Sequence, residues 1–217
     1  TSRCKKRLIS MGEEPKKIYV TGSIGVETIT QQKLAKKREL EKLLQFKMNN
    51  KTVLIIYHPE TLNPKKSLEN FMRVIKVLDY FKNLRIIFNS PNHDKGYVEI
   101  QKIIKSFVKK NPERSIYIKS FGKKHFLSIL KQVSLMIGNS SSGIIESPSF
   151  NLDCINIGDR QKGRYFSENI YNSDGNINNL KNLIIKLVNK KKSKKKTKYK
   201  NIYFKKNNFS KIYKVIK

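Results

Sequence analysis

Short runs of apolar, β-branched residues alternate along this chain with longer stretches in which apolar residues return every three or four positions. The first rhythm belongs to strands buried on both faces, the second to helices with one buried stripe. The runs predict strands over 52–57, 84–88, 115–118, 134–137 and 154–157. The periodic stretches predict helices over 67–81, 96–108, 123–131, 142–150 and 177–189. Ahead of them, residues 4–11 suit a short helix ended by Gly12 and Pro15, and Ile18-Tyr19-Val20 a short strand stopped by Thr21-Gly22-Ser23. Gln31 to Phe46 reads as a helix rich in Lys, Leu and Glu. From Lys190 the pattern dissolves into low-complexity Lys/Asn/Tyr sequence, a frayed tail with a weak helix near Phe209–Ile216. No repeat of solenoid type is present.

Strands alternating with helices long enough for right-handed crossovers define an α/β chain: a Rossmann-like parallel sheet with helices on both faces. Open sheets of this kind bind ligands outside the carboxyl ends of their strands. The residues that leave each strand therefore carry the information. They are His58-Pro59-Glu60, then Asn89-Ser90-Pro91-Asn92-His93-Asp94, then Lys119-Ser120-Phe121-Gly122, and finally Gly158-Asp159-Arg160-Gln161-Lys162-Gly163-Arg164 after the last predicted strand. Between the last two of these lies the stretch that organises the rest, Leu135 to Ser147.

That stretch runs from an apolar strand through Gly138-Asn139-Ser140-Ser141-Ser142-Gly143 into Ile144-Ile145-Glu146. A strand, a small-residue turn and a helix start aim backbone N–H groups and hydroxyls at one point, with the positive end of a helix dipole behind it. An anion, typically a phosphate, is favoured there. Glu146, one turn inside, can accept hydrogen bonds from sugar hydroxyls. An ordinary connection whose serines only cap the helix fits the same local pattern. His58 is open in the same way, as a phosphate donor or acid/base group, or as a turn residue before Pro59. Arg160 can clasp a phosphate bidentately or pair with Glu146.

Composition narrows the partners. The 217 residues, 38% of them hydrophobic, allow one sizeable core or one domain and part of another. A formal charge of +31 points to nucleic acid or an anionic membrane. Its distribution argues otherwise. No Asp or Glu follows Asp174, and 13 of the 47 basic residues lie from Lys190 onward; the other 34 against 16 acidic ones still leave +18. Lys keeps company with Ile, Asn, Tyr and Phe, so A/T-rich coding accounts for the excess. The Lys190–Lys200 run reads as a solvated tail without specificity for nucleic acid, though Tyr199 and Tyr203 leave a stacking role open. Cys4 and Cys154 have no metal-ligand spacing and imply no disulfide framework, which fits a reducing cytoplasm. No apolar run approaches the ~20 residues of a membrane span, and Thr1-Ser2-Arg3-Cys4 has no signal-peptide shape.

With these residues assembled, the chain resembles the second half of the hydrolysing UDP-N-acetylglucosamine 2-epimerases. That family supplies N-acetylmannosamine or a diacetamido relative for sialic- and legionaminic-type sugars. The resemblance is carried by Arg7-Leu8-Ile9-Ser10-Met11-Gly12-Glu13-Glu14-Pro15, by Val20-Thr21-Gly22-Ser23, and by Tyr57-His58-Pro59-Glu60-Thr61. Most specific is Met136 to Ser147, continuing through Ile155-Asn156-Ile157-Gly158 to Arg164; the Arg-Gln-x-Gly-Arg ending points to the hydrolysing branch. It covers residues 1 to about 189.

The resemblance implies the C-terminal half of a two-domain glycosyltransferase-B-like fold. Residues 1–30 would close the N-terminal Rossmann-like domain, 31–189 form the UDP-binding domain, and 190–217 the Lys-rich tail. It implies that Ser140 and Ser141 hold the UDP diphosphate and Glu146 the ribose. His58, the catalytic candidate, and Arg160 would lie at the diphosphate side with Asn92 nearby, and the backbone around Phe121 would face the uracil. The implied reaction eliminates UDP from the UDP-sugar substrate to a 2-acetamidoglucal-type intermediate, then adds water with inversion at C2. It needs no metal and no cofactor, and the full-length family forms homo-oligomers. The family's N-terminal carboxylates and arginines precede the segment matching Thr1, so this polypeptide alone is expected to bind UDP weakly without turnover. Two other classes stand beside this reading: a glycosyltransferase using the same cleft to form a glycosidic bond, and, on charge alone, a basic nucleic-acid-binding protein.

Overall fold

The computed structural model describes residues 1–190 and 199–217. The sheet strands are β1 (Thr52–Ile56), β2 (Arg85–Asn89), β3 (Ser115–Ile118), β4 (Leu135–Gly138), β5 (Asp153–Ile157) and β6 (Ile170–Ser173). The helices are α1 (Ser2–Ser10), α2 (Ile24–Gln31), α3 (Lys37–Leu44), α4 (Pro64–Tyr80), α5 (Tyr97–Lys110), α6 (Gly122–Gln132), α7 (Ser141–Ile145), α8 (Ile177–Val188) and α9 (Asn208–Ile216). All strand pairs are parallel, in the order β3-β2-β1-β4-β5-β6. The chain winds outward from β1 in one direction, then returns and winds in the other, so the order reverses between β1 and β4.

Alternation along the strands feeds two cores, one on each face. In β1, Val53 and Ile55 pack with Phe71, Val74, Ile104 and Ile184 of α4, α5 and α8. Leu54 and Ile56 face the other way, onto Leu40, Leu44, Leu127 and Met136. Burial on both faces is why these strands read as unbroken apolar runs. Local chemistry starts the helices: the Asn63 side chain accepts the Lys66 N–H with Pro64 in the first turn, and Asn176 accepts those of Asn178 and Asn179.

Five features differ from the sequence expectation. Ile18-Tyr19-Val20 is not a strand; Lys5 Nζ takes the Ile18 carbonyl at 2.9 Å and Lys205 Nζ that of Val20 at 3.3 Å, so the segment needs no sheet partner. The helix expected over 31–46 is confined to α3; residues 32–36 are not helical, Ala35 burying itself there and donating its N–H to Ser128 Oγ at 2.9 Å, and α2 ahead of them was not expected. The helix expected over 142–150 ends at Ile145 and gives way to a 3-10 turn at Ser147–Phe150, since Pro148 has no N–H to continue it. The edge strand β6 was not expected, its Ile-Tyr-Asn-Ser being too polar to stand out. The last concerns the tail. Its Lys-rich part, 191–198, lies outside the described residues, but the chain from Tyr199 packs back on the body. Tyr199 Oη donates to Asp153 Oδ1 at 2.6 Å, Asn201 Nδ2 to the Ile145 carbonyl at 2.8 Å, and Ser23 N to the Tyr203 carbonyl at 2.8 Å. Helix α9 then docks beside α2, where Glu27 accepts the Phe209 N–H at 3.2 Å. The Tyr199 and Asn201 side chains, the main chain at Tyr203 and Phe209, and the Glu27 carboxylate make these contacts, which a lysine count does not register. Among the described residues no helix is long and apolar enough to cross a membrane.

Candidate functional site

The loops leaving β1, β2, β3, β4 and β5 surround a cleft of about 720 Å³ on the carboxyl edge of the sheet, across the point where strand order reverses. Crossovers leaving a parallel sheet in opposite directions open such a crevice. His58, Asn92, Phe121, Ser140, Ser141 and Arg160 all line it. Glu146 does not. It sits at the C-terminal end of α7, its carboxyl raised by burial against the opposing effect of Ser142, with Oε2 buried and lacking a partner among the described residues.

At the base of the cleft is Asn139, fully buried. Its Oδ1 accepts the His58 N–H at 2.7 Å and its Nδ2 donates to the His58 carbonyl at 2.8 Å. Its own N–H reaches the Ile56 carbonyl at 3.1 Å. Its carbonyl accepts from Gln161 Nε2 at 2.8 Å and from an Arg160 guanidinium nitrogen at 3.2 Å. One residue thus ties the β1, β4 and β5 loops together and fixes His58 and Arg160 relative to Ser140. Gly138 permits this: at φ +144° it lets the end of β4 close on β1, where a Cβ would fall 1.8 Å from the Ile56 carbonyl oxygen.

His58 is 7% exposed. Burial, reinforced by the Arg160 charge and opposed by Asp94, pulls its pKa down to about 4. At neutral pH the ring is uncharged, and Nδ1 accepts the Asn92 N–H at 3.0 Å. The ring proton therefore resides on Nε2, which makes that nitrogen a donor. Linkage gives a test. The unfolded chain takes up this proton near pH 6.5 and the folded chain only near 4, so stability falls as pH drops through that window. The wild type should lose about 2–3 kcal/mol more between pH 7 and pH 4.5 than His58→Gln, measured by urea unfolding.

Arg160 makes no ion pair with Glu146, so of its two sequence readings only the anion clasp is left unspent. Helix α7 is five residues long and supplies little dipole. Polarity here comes instead from the Ser140–Ser142 hydroxyls, the His58 Nε2–H, Arg160, and Lys119 and Lys123 on the opposite rim. Ser140 both lines the cleft and caps, its Oγ accepting the Ser142 N–H at 3.3 Å, so capping and ligand contact do not compete as alternatives. No carboxylate is found among the described residues lining the cleft. It suits an elongated anion. Asn139, Gln161, Lys119 and Lys123 had no individual role in the sequence reading. Their positions directly after strands were the available signal, but sequence cannot say which loop amide turns inward.

The family model described as UDP-N-acetylglucosamine 2-epimerase matches residues 1–217. The GDP/UDP-N,N'-diacetylbacillosamine 2-epimerase (hydrolyzing) of Campylobacter jejuni is 41% identical over 186 residues, 86% of this chain and 48% of that protein. The UDP-N,N'-diacetylbacillosamine 2-epimerase (hydrolyzing) of Legionella pneumophila is 33% identical over 217 residues, 100% of this chain and 56% of that protein. The chain therefore spans about half the length of these curated relatives. Among solved structures, the UDP-GlcNAc 2-epimerase from Neisseria meningitidis bound to UDP-GlcNAc superposes with a TM-score of 0.79 at 15% identity, covering 100% of this chain and 59% of that one. The fold is thus that of one Rossmann-like half of the glycosyltransferase-B-like architecture.

Proposed function

The chain belongs to the UDP-N-acetylglucosamine 2-epimerase family, and on that premise we propose that residues 31–189 form the nucleotide-holding domain of a hydrolysing 2-epimerase. The substrate is UDP-N-acetylglucosamine or a diacetamido analogue, the products UDP and a free mannosamine-type sugar, and residues 1–30 belong to the companion domain. The hydrolysing relatives named for diacetylbacillosamine support this choice of sugar class. One observation carries the reading: His58, Ser140, Ser141 and Arg160 converge on a cleft whose described lining holds cations and donors but no carboxylate.

The chemistry follows from that lining. Elimination breaks the C1–O bond of the UDP-sugar as the C2 proton leaves, and negative charge grows on the departing diphosphate. Arg160, the serine hydroxyls and the His58 Nε2–H, held by Asn139 before the substrate arrives, stabilise that charge without reorganising. Water then adds across the glycal-type double bond, returning a hydrogen to C2 from the opposite face. Glu146 lies outside the cleft lining, one turn beyond Ser142; its Oε2, buried without a partner among the described residues, is the acceptor left for a ribose hydroxyl. His58 acts first as a donor to the leaving group, and neutrality lets it donate without a buried charge.

Binding tests this on the chain itself. Isothermal titration of UDP should show one site, weakened about 10- to 100-fold by Arg160→Met, since a charge-assisted contact contributes about 1.5–3 kcal/mol. Stability should change by less than about 1 kcal/mol. Undiminished UDP binding in that variant would sink the assignment. For a polypeptide of the relatives' length, a UDP-sugar in deuterated water should yield free sugar carrying deuterium at C2 without any acceptor. A glycosyltransferase would instead require the acceptor and leave C2 unlabelled.

A further inference from the structure

Glu146 stands on a corner that its own stretch of chain leaves unfinished. Helix α7 ends at Ile145, and the chain turns at once into the 3-10 turn Ser147–Phe150. The last carbonyls of a helix have no partner within it. The Ser149 N–H, which would continue α7 onto the Ile145 carbonyl, donates to the Glu146 carbonyl at 3.0 Å instead. Pro148 has no N–H to offer Ile144. A helix of five residues is too short to hold itself in place.

The missing partner arrives from the C-terminal tail, 56 residues further on. Asn201 Nδ2 donates to the Ile145 carbonyl at 2.8 Å and to Ser149 Oγ at 2.7 Å, so one amide grips the corner on both sides of Glu146. Its Oδ1 accepts the Tyr203 N–H at 2.9 Å, which fixes which way the amide faces. The tail is fastened on either side of Asn201. Ahead of it, the Tyr199 N–H donates to Asn151 Oδ1 at 2.9 Å. Behind it, the Tyr203 carbonyl accepts the Ser23 N–H at 2.8 Å, and Lys205 Nζ reaches the Val20 carbonyl at 3.3 Å. Neither core draws on a described residue beyond Val188, so this strap completes no core. What it does hold is the corner. Glu146 lies outside the cleft lining with Oε2 buried and unpartnered among the described residues. Hydrogen bonds weaken steeply with misalignment, so a carboxylate set back in this way reaches a ribose hydroxyl only while its corner keeps its place.

We propose that the tail is part of the nucleotide site, with Asn201 as the positioning residue that holds Glu146 in reach of the ribose. The inference rests on the reading of Glu146 given above. It goes further by giving a task to a C-terminal segment that does not itself line the cleft.

Titrations of the full chain with UDP, the UDP analogue lacking both ribose hydroxyls, and pyrophosphate test it. The wild type should bind UDP about tenfold or more tighter than the analogue, the size of one charged hydrogen bond, and Glu146→Ala should abolish that ratio. Asn201→Ala should reduce it to about threefold or less while changing pyrophosphate affinity less than about twofold. Asn201→Asp should do the same, since it keeps the acceptor for Tyr203 but sets an oxygen against the Ile145 carbonyl. Tyr203→Phe removes a different tail contact, the bond to the Tyr165 carbonyl at 2.8 Å, and should keep the full ratio. A ratio intact in both Asn201 variants would overturn the proposal. So would equal losses for all three ligands, the mark of general loosening. UDP binding with no ratio in the wild type removes the ribose role of Glu146, and the proposal with it, but leaves the diphosphate site standing. Failure of both UDP and pyrophosphate to bind removes the nucleotide reading as well.

Discussion

Gly138→Ala should cost the protein about 4 kcal/mol or more, the range reserved for substitutions that force backbone apart. The added Cβ would lie 1.8 Å from the Ile56 carbonyl oxygen and 2.6 Å from its carbon, both main-chain atoms of the adjacent central strand. No side-chain rotation relieves such a clash. The φ of +144° adds strain that only glycine escapes. The end of β4 must move off β1, breaking the Asn139 N–H bond to Ile56 and with it the alignment of the cleft loops. Gly163→Ala is the matched comparison: φ is +82°, but nothing stands within 4 Å of its Cβ, so only the conformational penalty of about 1 kcal/mol is expected. Chemical denaturation of the two variants should separate them by about 3 kcal/mol. Similar losses in both would show that the close approach of β1 and β4 is not what Gly138 secures.

Asn139→Ala should remove about 3–5 kcal/mol and weaken UDP binding at least tenfold, a combination expected of no other single cleft residue. The mutation leaves the buried His58 N–H and carbonyl without partners, at about 1–3 kcal/mol each. Arg160 and Gln161 bond to the Asn139 main chain, which alanine retains, so the β5 loop should hold while the β1 loop loosens. Asn139→Asp should be no better, because it sets an oxygen against the His58 carbonyl in place of the amide donor. Denaturant melts paired with UDP titrations read both effects. Full UDP affinity in a destabilised Asn139→Ala protein would show that His58 is positioned by something else.

The charge of this chain illustrates how composition and site differ. At +31 the chain is strongly cationic, and by itself that points to polyanions of any kind. The cleft is distinguished by where donors meet without acidic neighbours. In the same way, residues from Lys190 onward read as one frayed Lys-rich tail with a weak helix near Phe209–Ile216, and α9 is found there. The tail's Tyr199, Asn201 and Tyr203 instead tie it to Asp153, Ile145, Ser23 and Tyr165.

Much of the architecture was determined by the sequence alone. Short, β-branched unbroken runs such as Thr52–Ile56 read as strands buried on both faces, and their alternation with amphipathic helices points to a parallel α/β sheet. That topology sends His58, Asn92, Phe121, Ser140 and Arg160 to one edge, because residues following parallel strands always emerge together. Tertiary structure alone decided which of them are held and by what. Nothing local distinguishes Asn139 from the serines after it; it became the hub because Gly138 brings β4 against β1 and buries that one amide beneath His58. The Leu135–Ser147 stretch read as a helix dipole aimed at an anion, yet its helix is five residues long. What gathers the donors is hydrogen bonding between loops 81 and 22 residues apart, His58 to Asn139 and Asn139 to Gln161. Contacts at that separation depend on how the strands are ordered in space, and no window along the chain contains both partners.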